Sequence, residues 1–199
     1  MITTVGNIKG GVAKTTTSAY LALGLAELGK SVLLIDADPE QQSASAWAEA
    51  AGDDWPETCT VVEIATRDLG KRIMQLAKSY DHVVVDTSPK NPLLLRQALS
   101  VSDQLVIPSA PSPMELREIA ATVDVAEEVG ATNDHLDYSV LLVKVRTGTR
   151  AAVEAPKVLE EMGFPVLAAS VRLMEDVSLA FGTVPTLGDY KAVIEELTA

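Results

Sequence analysis

The chain has 199 residues, 47% of them hydrophobic and 22% charged, a balance that supports a packed core and excludes a disordered or collagen-like chain. Sixteen Lys and Arg against 28 Asp and Glu give a formal net charge of −12, so general nucleic-acid binding is disfavoured and any DNA contact has to come from a local basic patch. The single cysteine, Cys59, excludes an intrachain disulfide and a cysteine-rich metal cluster. No apolar run nears the ~18 residues of a membrane span. Gly6, Lys9 and Gly10 also interrupt the place where a signal peptide keeps its apolar stretch. The expectation is one cytoplasmic domain over residues 1–199.

Taken in chain order, apolar runs rich in β-branched residues predict strands at 2–5, 31–36, 60–64, 82–86, 104–108, 138–145 and 166–170. Helical patterns lie between them at 14–28, 42–51, 67–80, 93–101, 115–129 and 150–162, and a last one covers 188–197. Runs such as Val83-Val84-Val85 are apolar throughout rather than alternating, the mark of strands covered on both faces. With the strand–helix alternation, this predicts an α/β fold: a doubly wound, mostly parallel sheet with helices on both faces.

The loop after the first strand carries the chemistry. Adjacent Gly10 and Gly11 let successive N–H groups converge on an anion, and the helix terminus behind them adds partial positive charge. Lys14 is placed to neutralise β- and γ-phosphate oxygens, and the Thr15 hydroxyl to ligate Mg²⁺. The ordinary Gly-x4-Gly-Lys-[Ser/Thr] pattern does not fit, because its glycine positions hold Ile8 and Ala13. Further on, Asp36 and Asp38 leave the end of a buried strand on one side. One can hold the water shell of a magnesium ion while the other orients an attacking water. Asp86 ends a third apolar strand, and it is the candidate for a water-mediated magnesium contact.

The segment Lys9-Gly10-Gly11-Val12-Ala13-Lys14-Thr15-Thr16 reads Lys-Gly-Gly-x-x-Lys-Thr-Thr, the deviant Walker A motif. With it the chain resembles the ParA/MinD group of P-loop ATPases, and most closely the small ParF-type plasmid partition ATPases, which lack an N-terminal helix-turn-helix domain. The resemblance implies that residues 9–16 bind the nucleotide and that Lys9 reaches across a nucleotide-sandwich homodimer to the partner's phosphate. Ala13 stands where the family usually has glycine. Asp36-Ala37-Asp38-Pro39-Glu40 matches Asp-x-Asp-Pro-Gln, so Asp38 is implied to position the nucleophilic water while Asp36 lies nearer the metal; Glu40 replaces the usual glutamine. Residues 105–113 look like the proline-rich loop next to the dimer interface. Pro185, in Gly182-Thr183-Val184-Pro185, and Lys144 are implied adenine contacts. Lys90 matches nothing in the family pattern.

The family implies ATP hydrolysis, slow without a partner, together with nonspecific DNA binding in the ATP state. The expected role is plasmid segregation driven by a ParB-like centromere-binding protein, with the chain on the nucleoid when ATP is bound. The one basic window in the second half is Lys144–Lys157, so Arg146, Arg150 and Lys157 are the DNA candidates. Residues 115–137 carry seven acids against Arg117 alone, and are expected to face solvent or a basic partner. Two alternatives share the architecture: a McdA-like ATPase positioning a protein compartment, and a small ATP-dependent synthetase of the dethiobiotin type. A MinD-like membrane role conflicts with the acidic C-terminal Glu195-Glu196. Nitrogenase-reductase-like chemistry needs bridging cysteines that a lone Cys59 does not supply.

Overall fold

In the computed structural model, which describes residues 1–89 and 91–199, six strands form one sheet. They are β1 (Ile2–Val5), β2 (Val32–Ala37), β3 (Cys59–Glu63), β4 (His82–Thr87), β5 (Gln104–Ser109) and β6 (Asp137–Leu142). Their order is β3-β2-β4-β1-β5-β6, and every pairing is parallel. Lys90 lies outside the described residues.

Side-chain alternation divides each strand between two cores. Leu34, Val84, Val106 and Leu141 point to one face and pack with α1 (Lys14–Glu27), α2 (Ser43–Ala51) and α8 (Tyr190–Leu197). Leu33, Ile35, Val83 and Val85 point to the other, under α3 (Leu69–Leu76) and α4 (Pro92–Leu99). Beside them Leu105, Ile107, Val140 and Leu142 meet α5 (Pro113–Gly130) and α6 (Arg150–Glu161). Fully burying a side chain of this kind contributes roughly 1.5–3 kcal/mol, which is why the apolar runs dictate a two-faced sheet.

Two segments depart from the sequence expectation. The sixth strand stops at Leu142 rather than Val145, because Lys144 adopts a left-handed backbone (φ 56°) that turns the chain out of the sheet. Residues 166–170 do not form a seventh strand; a single bridge, Val140 to Val166, joins them to β6. The amides of Ala168 and Ala169 donate instead to the two carboxylate oxygens of Glu196 on α8, both at 2.8 Å. A further short helix, α7 (Glu175–Ser178), lies in this irregular region.

α8 is fastened to α1 by stacked Tyr20 and Tyr190 rings, 4.3 Å apart, and by Thr17 and Tyr190 hydroxyls 3.0 Å apart. Its apolar face, Tyr190, Val193 and Ile194, is therefore buried rather than offered to a bilayer. Among the described residues no helix is long and apolar enough to cross a membrane.

Candidate active site

β1, β2 and β4 end side by side, and the residues at their C-terminal ends surround the start of α1. Open α/β sheets bind ligands at this edge. The loop that leaves β1 is fixed before it reaches α1. At Gly6 a Cβ would meet Leu95 Cδ1 at 2.6 Å and Leu105 Cδ1 at 3.1 Å, so a side chain there would have to displace these leucines. Buried Asn7 donates to the Pro108 carbonyl at the end of β5 (3.0 Å), and its side-chain oxygen accepts from the Lys9 N–H (2.9 Å). Thr122 of α5 accepts from the Ile8 N–H at 3.1 Å and donates to Asn7 at 3.3 Å. Gly11 (φ 76°) and Ala13 (φ 63°) are both left-handed, the alternation that turns backbone N–H groups inward around an anion. For Ala13 this conformation costs about 1–2 kcal/mol that glycine avoids.

Lys14 opens α1 and is buried, with Nζ donating to the Lys9 carbonyl at 2.8 Å. Burial pushes its ammonium below the usual lysine range, and the charges of Asp86 and Asp38 pull the other way. Thr15 Oγ1 donates to Asp86 Oδ2 at 2.7 Å, and Ser18 Oγ donates to Asp86 Oδ1 at 3.0 Å. Complete burial pushes the Asp86 carboxyl up to about 7; the hydroxyls of Thr15 and Ser18 oppose the shift and the charge of Asp36 adds to it. Asp38 Oδ1 accepts from the N–H groups of Glu40 (3.0 Å) and Gln41 (3.2 Å). Its Oδ2 takes no hydrogen bond from the described residues, so one oxygen anchors the carboxylate and the other is left without a partner among them.

The structure brings Gly10, Gly11, Ala13, Lys14, Thr15, Thr16, Asp38 and Lys144 onto one cavity of about 320 Å³. Gln41, Thr87 and Pro89 complete its wall, and the sequence reading did not single out these three. Thr87 had a local signal, its place directly after Asp86 at the end of β4. Lys144 Nζ donates to the Gly11 carbonyl at 2.7 Å, closing the loop from the far side. A second cavity, of about 80 Å³, shares Ala13, Thr16 and Lys144 with the first and continues it to Val171, Arg172, Leu173 and Met174.

Other expected residues stand elsewhere. Val12 turns inward and is buried. Asp36 does not line the cavity: its Oδ2 accepts from the Ala44 (2.9 Å) and Ser45 (3.0 Å) N–H groups and its Oδ1 from Asp38 N–H (3.1 Å). It caps α2 and props the Asp38 turn, so Asp86 rather than Asp36 is the carboxylate beside Thr15. Pro185 lines neither cavity. Its segment is drawn to α2, where Trp47 Nε1 donates to the Thr183 carbonyl at 2.8 Å. Lys9 turns away from the cavity and pairs with Glu118 (2.7 Å) and Glu115 (3.2 Å) on α5. Arg146, Arg150 and Lys157 are exposed, and Arg150 pairs with Glu154 at 2.6 Å.

Residues 3–183 match the family described as the CobQ/CobB/MinD/ParA nucleotide binding domain. The chain is 36% identical over 176 residues to "Maintenance of carboxysome distribution protein A" of Gloeobacter kilaueensis, covering 86% of this chain and 76% of that protein. It is 30% identical, over 236 aligned positions, to "Chromosome-partitioning ATPase Soj" of Thermus thermophilus, covering 98% of this chain and 94% of that one. Its fold is like that of cobyrinic acid a,c-diamide synthase from Mycobacterium smegmatis, solved with an ATP analogue and magnesium, at TM-score 0.79, 21% identity, and coverage of 99% and 93% of the two chains.

Proposed function

From the premise that the chain belongs to the CobQ/CobB/MinD/ParA nucleotide-binding family, we propose that it is an ATP hydrolase whose ATP state is a face-to-face homodimer. That dimer binds DNA without sequence preference and so positions a cargo in the cell. The observation that carries the reading is the meeting of Lys14, Thr15 and the half-anchored Asp38 in one cavity at the start of α1.

The inward-turned N–H groups of the loop and the Lys14 ammonium hold the β- and γ-phosphates. The unpaired oxygen of Asp38 receives a proton of the attacking water and orients it, a general-base geometry. Lys9 crosses to the partner's phosphates and completes both sites on closure. The cavity that runs past Lys144 toward Met174 takes the nucleoside; Pro185 acts on it only indirectly. A magnesium ion fits the edge where Thr15 Oγ1 and Asp86 Oδ2 lie 2.7 Å apart. No group of three or more His, Cys, Asp or Glu side chains gathers for a metal among the described residues, so phosphate oxygens and water would complete its shell, as is usual for this ion. Bound there, it would screen the phosphate charge.

The DNA surface is the exposed Arg146, Arg150 and Lys157, doubled by the dimer. The 36% identical relative, named for carboxysome distribution, favours a protein compartment as cargo. Plasmid or chromosomal DNA, with a centromere-binding partner that stimulates hydrolysis, is the second reading, favoured by the 30% identical Soj relative. Loss of the chain scatters or clusters the compartment in the first case and lowers plasmid retention in the second.

Binding to nonspecific duplex DNA tests the reading, with Mg·ATP and Mg·ADP at two salt concentrations. Binding is expected with ATP alone and should weaken with salt, the logarithmic slope being about −0.9 per phosphate contacted. Asp38→Ala should hold the DNA for as long as ATP is present. Absence of binding in both nucleotide states would overturn the DNA-based switch. A phosphorylated organic product in place of free phosphate would point to a synthetase.

A further inference from the structure

Lys9 and Lys14 lie five residues apart on one loop but face opposite ways. Lys14 enters the cavity, whereas Lys9 lies against α5 with its ammonium 2.7 Å from Glu118 Oε2 and 3.2 Å from Glu115 Oε1. A solvated lysine on a glycine-rich loop has no reason to be held in one place. Here both ends of the residue are fixed. Its N–H is held by Asn7, and its side chain, 22% exposed, sits between two carboxylates. Glu115, Glu118 and Thr122 succeed one another at helical spacing on the face of α5 that touches the loop, and Thr122 secures the neighbouring Ile8. The Glu118 hydrogen bond is the main cause raising the Lys9 pKa above the usual lysine value.

We propose that Glu118 and Glu115 are positioning residues for Lys9. In the separate chain they hold its ammonium in cis against α5, and closure of the ATP dimer requires the release of that ion pair. The inference rests on the reading that Lys9 crosses to the partner. Release leaves two carboxylates together on a chain already at −12, with Glu115 Oε2 buried and without a hydrogen-bond partner among the described residues. The parked state is thus favoured until a phosphate outcompetes the carboxylates. A depression of about 560 Å³ lined by Ile8, Lys9, Gly10, Glu118 and Ala121 gives the side chain space to swing. Each chain has one such latch and the dimer needs both open, so a small bias in each is squared. Removing both latches is expected to tighten the ATP dimer by roughly 3–10-fold.

The test uses the double variant Glu115→Gln, Glu118→Gln with two readouts. In the nucleotide-free chain, the rate of Lys9 acetylation by acetic anhydride, followed by peptide mass spectrometry, should rise, because the ammonium loses its partners. In Mg·ATP, sedimentation equilibrium should show the tighter dimer. Asp124→Asn with Glu127→Gln, the same charge change elsewhere on α5, should leave both readouts at the parent value, and on a Lys9→Ala background the latch variant should no longer tighten the dimer. Unchanged Lys9 labelling overturns the latch. So does tightening that the control variant reproduces or that survives Lys9→Ala. Faster labelling with no ATP dimer in either protein overturns the crossing role of Lys9, and the latch's function with it, while leaving the ion pair in place.

Discussion

The two walls of the cavity are built differently. The near wall, from the ends of β2 and β4 and the start of α1, has side chains whose orientations are already set by hydrogen bonds: Thr15 and Ser18 on Asp86, and backbone N–H groups on Asp38. The far wall, Lys144 and residues 171–174, is irregular chain held to the loop, among the described residues, by one side-chain bond, Lys144 to the Gly11 carbonyl. The near wall is preorganised for phosphate chemistry. The far wall is tied to its own surroundings instead, Arg172 to Asp189 at 2.8 Å and the Val171 N–H to the Leu142 carbonyl at 2.8 Å.

Removing the main charge of the near wall should have the largest effect. Lys14→Ala is expected to weaken nucleotide binding on the order of 100-fold, since it deletes a buried charged donor; titration calorimetry with an ATP analogue reads it, and parent-like affinity would place the phosphates elsewhere. Asp36→Ala attacks the same wall from behind, leaving three N–H groups without their acceptor. The expected loss is roughly 2–4 kcal/mol of stability in denaturant unfolding; a metal ligand without a capping role would instead lower magnesium dependence and leave stability intact.

Asp86 gives a pH signature to this wall. An unfolded aspartate loses its proton near its ordinary value of about 4, whereas the folded one keeps it to about 7. Across that window the unfolded state binds fewer protons, so rising pH favours unfolding. Asn does not titrate. The stability of Asp86→Asn relative to the parent, both nucleotide-free, should therefore climb from about pH 4 to about pH 7 and then level off. A flat difference in thermal unfolding would mean that Asp86 is ionised throughout. The smallest change belongs to the far wall: Lys144→Ala should weaken ATP binding only about 3–10-fold, and a loss as large as that of Lys14→Ala would make the two walls equal.

The same contrast decides what could be read from sequence. The sheet, its two faces and the near wall follow from local patterns: apolar runs, a glycine pair before a lysine, and acids at strand ends. Each pattern is local, and the parallel sheet then brings the strand ends together: Thr15 and Asp86, 71 residues apart, meet there. The destinations of several side chains were not legible, because partners that their own motif does not contain set them. Asp36 is drawn to the N-terminus of α2, Lys9 to α5, and the Pro185 segment to Trp47. Residues 166–170 have the composition of a strand, but the amides of Ala168 and Ala169 are taken by a carboxylate 28 and 27 residues further along.

That last contact bears on assembly. A parallel sheet ends in a row of unpaired backbone groups, and an uncovered row of this kind recruits strands from other molecules. Beyond β6 the returning chain bonds the row at Val140 and Leu142, and Glu196 holds the Ala168 and Ala169 amides of that chain. These contacts oppose strand addition at this margin without a proline or a bulge. Glu196→Ala would expose the two donors and turn the margin into an adhesive one.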